Sequence, residues 1–392
     1  MRRSGWLSGT VAVLVTVGGC TADGGRAVGR GAERPAPTVT TAGAAGVAVG
    51  SVRTLAGMTV PRATHTATLL RDGTVLVAGG FGRGSGAELA TTERYSPATG
   101  RFAPGPRMTT PRMGHSATLL PDGRVLLAGG FGAGGTVLDS AELYDPTTRR
   151  FTPTGRMGAR RADHEAVLLA DGRVLLVGGT GPGFDFLASA ELYDPRTGRF
   201  AATGSMAQRR EGFTATLLGD GHVLVTGGHV GRHEQIEIHR SAELYDPHTG
   251  RFTHTGDMIV PRHKHDAVLL ADERVLLVGG ADEHDDAGLY HSAELYDPQT
   301  GRFQPTGDLR NARYKLRGTS VLLGDGRVLV AGGASDPEVY QPRSGSFAPL
   351  AGSFGRAPLF AAAVLLPGGS ALLCGGYSLT GPASSTAWLI RT

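Results

Sequence analysis

The sequence predicts an all-β protein built from repeated four-stranded antiparallel sheets, and three repeated features support this fold class. The chain has 392 residues, of which 62 are glycine. A glycine pair closes an apolar run seven times, at intervals of 43 to 53 residues. The turn residues Asp-Gly precede most of these runs, and a Glu-x-Tyr segment followed by an Arg-Phe segment lies beyond most of the pairs. The first glycines of the pairs are Gly79, Gly129, Gly178, Gly227, Gly279, Gly332 and Gly375.

Residues 111–157 show how one repeat forms its strands. Two apolar runs, 117–120 and 125–128, flank Pro-Asp-Gly, a strong signal for a hairpin because the tight turn needs a positive φ that glycine supplies. Residues 142–144 then alternate polar and apolar side chains, as a half-buried strand does. Asp145-Pro146 turns the chain into a fourth strand that begins near Phe151.

The strand count predicts a ring that the N-terminal segment closes. The seventh repeat ends the chain after its third strand, near Trp388, and so lacks a fourth. Residues 52–58 have the pattern of a fourth strand, so we expect them to complete the seventh sheet. Closure would remove unpaired strand edges. A ring of six sheets with an additional hairpin is the alternative, because the seventh repeat is the most degenerate.

A period near 50 residues with Gly-Gly, then Tyr, then an aromatic residue resembles the kelch repeat. The resemblance covers nearly everything from about Ser51 to the C-terminus and implies a seven-bladed β-propeller, with one blade per repeat. It says little about function, because propellers support many unrelated activities.

The N-terminus predicts secretion and a lipid anchor. A basic start is followed by an apolar run, 6–17, that is too short to span a bilayer. The segment Val17-Gly18-Gly19-Cys20 resembles a bacterial lipobox, which implies a signal peptide over 1–19 and lipidation of Cys20; an ordinary signal peptide is the alternative. Residues 20–50 have the composition of a flexible linker, and 51–392 form the propeller. We therefore expect an extracytoplasmic protein held at the cell membrane or, because Thr21 follows the cysteine, at the outer membrane.

Charge and cysteine content argue against nucleic-acid partners and predict a structural role for Cys374. The net charge is +4, and the arginines are spread over the repeats with no dense basic stripe, so we expect no nucleic-acid binding. We expect a monomer. Cys374 stands where other repeats have Ala or Val, which predicts a buried, inert thiol.

Any binding site is expected on the face that carries the loops of variable length, at the mouth of the central channel. An arginine lies at the start of most innermost strands, with Lys315 near the sixth position, and a histidine follows three residues later in four blades. They could form a funnel for an anion or a metal, or they could be structural residues of the repeat. The candidate binding residues are Arg62, Arg112, Arg161, Arg210, Arg262, His65, His115, His164 and His265.

Two loops that break the repeat pattern combine imidazole and carboxylate groups. Such groups could bind a divalent cation or act as acid and base, or they could be a solvated rim. No other cofactor is expected. The candidate metal ligands are His229, His233 and His239 in blade four and Asp282, His284 and Asp285 in blade five.

Secreted seven-bladed kelch propellers include the galactose oxidase family, whose copper-radical chemistry requires a Tyr–His pair at an innermost strand and a tyrosine cross-linked to cysteine. Here Thr64, Gly114, Asp163 and Lys264 precede the ring histidines, so we do not expect that activity. The sequence favours a surface-anchored propeller that binds a protein or a glycan. The alternatives are a metal-dependent carbohydrate-active or lyase-type enzyme that uses the loops of blades four and five, or a purely structural envelope component.

Overall fold

The computed structural model describes residues 50–82, 87–232 and 235–392, and in these ranges the chain forms seven four-stranded antiparallel sheets. The first strands of the sheets contact one another in sequence order, and the last contacts the first, so the sheets close into a propeller around a central channel. The predicted signal peptide 1–19, Cys20 and most of the predicted linker lie outside the described residues. No helix in the described ranges is long and apolar enough to cross a membrane.

Blades one to six use their strands in chain order from the channel outward, and blade seven does so for its first three strands. The first strands are Thr66–Leu69, Ser116–Leu119, Glu165–Leu168, Thr214–Leu217, Asp266–Leu269, Ser320–Leu322 and Ala362–Leu365. The second strands are Val75–Ala78, Val125–Ala128, Val174–Val177, Val223–Thr226, Val275–Val278, Val328–Val330 and Ala371–Cys374. The third strands are Thr92–Ser96, Ala141–Asp145, Ala190–Asp194, Ala242–Asp246, Ala293–Asp297, Glu338–Gln341 and Ala387–Arg391. The fourth strands of blades one to six are Arg101–Pro104, Arg150–Pro153, Arg199–Ala202, Arg251–His254, Arg302–Pro305 and Ser346–Pro349.

The N-terminal strand completes the seventh blade, as the sequence predicted. Ser51–Thr54 pairs antiparallel with Ala387–Arg391, with Ser51 opposite Arg391. Seven four-stranded sheets exclude the alternative of six blades with an additional hairpin.

Short hairpins and 3₁₀ helices lie in the loops of the variable face. Two small hairpins pair Phe131–Gly132 with Thr136–Val137 and His229–Val230 with Glu237–Ile238. Single-turn 3₁₀ helices cover Ala133–Gly135, Pro182–Phe184 and Asp285–Ala287.

Hydrophobic packing lies between adjacent blades. All second-strand residues are buried, and each cluster joins neighbouring sheets: one contains Leu126 and Leu143 from blade two with Leu176 and Tyr193 from blade three. In blades one to six the third-strand tyrosine packs on the fourth-strand phenylalanine, with ring centroids 4.8–4.9 Å apart. Because each blade buries its faces only against its neighbours, ring closure is required for a complete core.

Candidate functional site

The predicted arginines are fully buried and bind groups within their own blade. Nη1 of Arg112 donates to the Gly129 carbonyl at 2.7 Å, and Nη2 donates to Glu142 of the third strand at 2.8 Å. The Glu142 carboxylate also accepts from the Thr109 amide of the connection that enters the blade. The same ion pair, 2.7–3.0 Å long, recurs in blades one to six. Its arginines are Arg62, Arg112, Arg161, Arg210, Arg262 and Arg313, and all are inaccessible. This geometry favours the structural interpretation of these residues.

The sixth arginine was misplaced by sequence reasoning. Arg313, and not Lys315, donates to the glycine pair of blade six. Arg313 precedes its glycine acceptor by 19 residues, whereas Arg62 precedes its acceptor by 17. The two additional residues make the connection into blade six longer than in the other blades.

The predicted histidines join each blade to the one before it. Nε2 of His115 lies 3.2 Å from the Thr66 hydroxyl, and Nε2 of His164 lies 2.9 Å from the Ser116 hydroxyl. His265 lies 3.1 Å from the Thr226 hydroxyl. All are at most 6 % exposed, as is His65. Burial lowers the pKa of these imidazoles, that of His65 to about 3, so they are neutral at pH 7.

In every blade, the residue just before the histidine position belongs to a hydrogen-bonded ring at the channel mouth. We call this ring the belt. Each belt residue has a positive φ, between +49° and +64°. In six of the seven links the amide donates to the belt carbonyl of the preceding blade, at 2.6–3.1 Å. The structure records no such bond from Gly212 to Asp163. The belt residues are Thr64, Gly114, Asp163, Gly212, Lys264, Lys315 and Phe360.

A cavity of about 290 Å³ lies next to the belt, between the innermost strands of blades seven, one, two and three. Small residues form much of its wall. Its charged groups are Asp163, Glu165 and Arg317, and Phe360 supplies an aromatic ring. A partly polar concave site of this size is suited to a small polar ligand or to one unit of a larger ligand.

Arg317 crosses the channel and bounds this cavity. Its Nε lies 2.6 Å from Glu165 Oε1, and its Nη2 lies 2.6 Å from the carbonyl oxygen of His164. Arg317 belongs to the lengthened connection of blade six, and its partners belong to blade three on the opposite side of the ring. The insertion therefore turns a nearly symmetric channel into an off-centre pocket.

The two carboxyl groups of the cavity have perturbed pKa values. Burial raises the pKa of Glu165 to about 7 despite the contact with Arg317. Burial, and then the charge of Glu211, raises the pKa of Asp163 to about 7. Groups with such values are enriched at functional sites.

An aromatic corner adjoins the cavity on the side of blades six, seven and one. The ring centroid of Tyr377 lies 6.1 Å from those of Phe81 and Phe360. The ammonium group of Lys315 lies 4.6 Å from the centroid of Tyr314 and 5.8 Å from that of Tyr377. Partial exposure of Phe81, Phe360 and Tyr377 leaves apolar ring surface at the mouth.

The predicted metal ligands that the structure describes lie in separate places and do not form one site. In blade four, Nδ1 of His229 lies 3.1 Å from Nδ1 of His263, whereas His239 Nε2 contacts the Arg209 carbonyl at 3.0 Å. His233 lies outside the described residues. In blade five, Asp285 binds the Lys264 ammonium at 2.6 Å.

The remaining predicted ligands gather at the edge of the blade-five loop. Asp282, Glu283 and His284 place their ligand atoms within 4.8 Å of one another, and the last two are exposed. Exposed acidic groups of this kind are common without an ion, and the other predicted ligands that the structure describes do not join them.

Sequence reasoning missed the residues that shape the cavity. Asp163 and Glu165 stand where the second repeat has Gly114 and Ser116, and Arg317 lies in the additional segment of repeat six. All three depart from the repeat pattern, which was the available signal.

The comparisons with known proteins support the fold. Residues 111–158 match the family model of the Kelch motif. No curated protein matches the sequence. The structure is similar to that of a fungal alcohol oxidase of the AA5 family in complex with copper, with a TM-score of 0.70 and 17% identity over 88% of this chain and 76% of that chain. At this identity the similarity shows the fold alone.

In the part of the chain that the structure describes, the cysteine and the residues at the channel mouth do not fit a copper-radical centre. The Cys374 sulfur lies 3.6 Å from His65 Nε2 in the core, and burial raises the pKa of its thiol to about 12. At the mouth, the ammonium group of Lys315 lies beside the rings of Tyr314 and Tyr377 and would repel a metal cation there. What the geometry and the comparisons establish together is a seven-bladed β-propeller that carries a kelch motif and has a galactose-oxidase-like fold.

Proposed function

We propose that this propeller is an extracytoplasmic binding module that recognises a glycan at its channel mouth. The observation that carries the proposal is the proximity of partly exposed aromatic rings to a small polar cavity, because Phe360 contributes to both. Sugars present apolar ring faces and hydroxyl groups together. Aromatic rings bind the former, and carboxylate and guanidinium groups such as Glu165 and Arg317 bind the latter.

The test is binding of the full chain to a library of soluble oligosaccharides, measured by calorimetry. Tyr377→Ala removes a ring from the aromatic corner, and we expect at least a tenfold loss of affinity. Tyr377→Phe keeps the ring and is the matched control, with an expected change below threefold. Circular dichroism confirms that both variants fold. If no oligosaccharide binds and a protein partner does, the glycan proposal is wrong.

Acid–base catalysis on the bound glycan is the second candidate, favoured by the raised pKa values of Asp163 and Glu165. Its test is the appearance of new reducing ends when the protein is incubated with each bound glycan. We expect Glu165→Gln to abolish product formation while retaining binding if this function is present. Glycan binding without new reducing ends would show that the protein binds these glycans and does not cleave them.

We also propose that Cys20 carries the lipid anchor. Its test is incorporation of a labelled fatty acid and the location of the protein after cell fractionation. Cys20→Ser should abolish the label and release the protein from the membrane fraction. Equal labelling of both forms would refute the assignment.

A further inference from the structure

The charged groups that line the cavity are paired, with one exception. Arg317 binds Glu165 and a backbone carbonyl. The Lys264 ammonium binds Asp285 at 2.6 Å, and the Lys315 ammonium lies 3.7 Å from the same carboxylate. Arg317 and the two lysines therefore already have anionic partners.

The exception is Asp163. Its carboxylate lines the cavity, and no donor among the described residues forms a hydrogen bond with it. Of the cations around it, Arg317 and Lys264 are bound to other acids, and the guanidinium of Arg232 lies over the Phe184 ring. Glu211 is a second acid near Asp163. Together with the Glu165–Arg317 pair, an ionised Asp163 gives the cavity a net charge of −1. Burial disfavours the ionised form of a carboxyl that has no donor, and a cation bound beside it would favour that form.

The backbone accommodates this carboxylate over the neighbouring blade. Oδ1 of Asp163 lies 2.4 Å from the position that a Cβ on Gly114 would occupy, so only glycine leaves this space free. Gly114 also has φ +57°, a conformation that other residues rarely adopt. The belt thus directs the acid toward blade two and the cavity.

An organic ammonium group fits this position better than a metal ion. Calcium would need six or more oxygen ligands, whereas the second carboxylate of the cavity already binds the Arg317 guanidinium. An ammonium needs only a few acceptors and would neutralise one charge. The cavity volume, about 290 Å³, is at the lower end for ligand sites and is appropriate for one sugar ring next to Phe360.

We infer that the cavity takes an amino sugar, whose ammonium group pairs with Asp163 while its hydroxyl groups meet Glu165 and Arg317. This inference rests on the proposed glycan function and specifies the class of sugar. The acid discriminates a free amine from an N-acetyl group, because acetylation removes the positive charge.

The test compares three probes of equal length on the full chain at pH 7: the tetramers of glucosamine, N-acetylglucosamine and glucose. We expect the glucosamine tetramer to bind at least tenfold more tightly than the other two. Asp163→Asn should remove this preference, because asparagine keeps the shape and tolerates a positive φ without the charge. Asp286→Asn removes an exposed acid from the same face, outside the cavity, and should keep the preference.

The outcomes separate the two proposals. Equal binding of the three tetramers, or an amine preference that survives Asp163→Asn, would overturn the amino-sugar assignment and leave glycan binding standing. Absence of binding to these probes and to the whole oligosaccharide library would overturn both. Loss of the preference in Asp163→Asn alone would establish the assignment.

Discussion

Replacing the buried His164 with phenylalanine should make the protein less stable at neutral pH and more stable in acid. Nε2 of His164 lies 2.9 Å from the Ser116 hydroxyl, and burial holds the pKa of the imidazole well below 6.5. Phenylalanine fits the slot, since blade four has Phe213 at the equivalent position. The substitution leaves one buried hydroxyl unpaired, at a cost of about 1–2 kcal/mol.

The pH dependence follows from which state binds the proton. Below pH 6.5 the unfolded chain protonates His164 while the folded chain does not, so wild-type stability falls as the pH falls. The loss is about 1.4 kcal/mol per pH unit for each such histidine. The variant lacks one of these losses, so the two stability curves should cross at about pH 5.5.

The assay is urea denaturation of both proteins at several pH values between 7.5 and 4.5. The double variant His164→Phe/Ser116→Ala removes the unpaired hydroxyl and should recover most of the neutral-pH stability. Parallel curves for wild type and His164→Phe across the whole range would refute the view that the ring histidine is neutral because it is buried.

Three further predictions concern stability and use the same denaturation assay. Arg112→Met leaves Glu142 buried without its cation and should lower the free energy of unfolding by about 3–5 kcal/mol. The double variant Arg112→Met/Glu142→Leu should recover most of this stability. A loss below about 1 kcal/mol in the single variant would contradict the buried ion pair. The pKa of Glu165 rises from 4.5 to about 7 on folding, so its contribution to stability should fall from pH 4.5 to 7 and oppose the contribution of the buried histidines. Glu165→Gln removes this opposing contribution and should make the rise of stability with pH steeper; an unchanged slope would disprove the raised pKa. Glu273 has φ +69° in a turn where other blades have glycine, so Glu273→Gly should stabilise the protein by about 1 kcal/mol. Gly123→Glu at the matching turn of blade two should destabilise it. Effects of opposite sign would count against backbone strain at this turn.

The fold was predictable because its determinants are local and occur seven times. The Asp-Gly turn at Gly123 and the glycine pair at Gly129 have positive φ, as their residue types indicate. The N-terminal strand could be assigned because its sequence matches that of the other fourth strands. Repetition allowed one weak pattern to be checked against six others.

The site was less predictable because residue type does not reveal burial or partners. An arginine at the mouth of a channel can bind an anion, but Arg62 and its equivalents bind glutamates within their own blades. The spacing from Arg313 to its glycine acceptor reveals an insertion in repeat six, yet only three-dimensional packing directs Arg317 across the channel. Asp163 and Glu165 acquire their raised pKa values from that same packing.

The histidine contacts between blades have a consequence for how near-identical repeats find their correct neighbours. Each contact needs a histidine on one blade and a hydroxyl or thiol group on the blade before it. Where blade three offers Glu165 at the hydroxyl position, blade four presents Phe213, and where blade five offers Asp266, blade six presents Leu316. Docking blade four directly against blade two would bury the Ser116 hydroxyl against a phenyl ring. These pairs of residues therefore favour the native order of the blades. Exchanging blades between positions should succeed only when each acid moves together with its apolar partner.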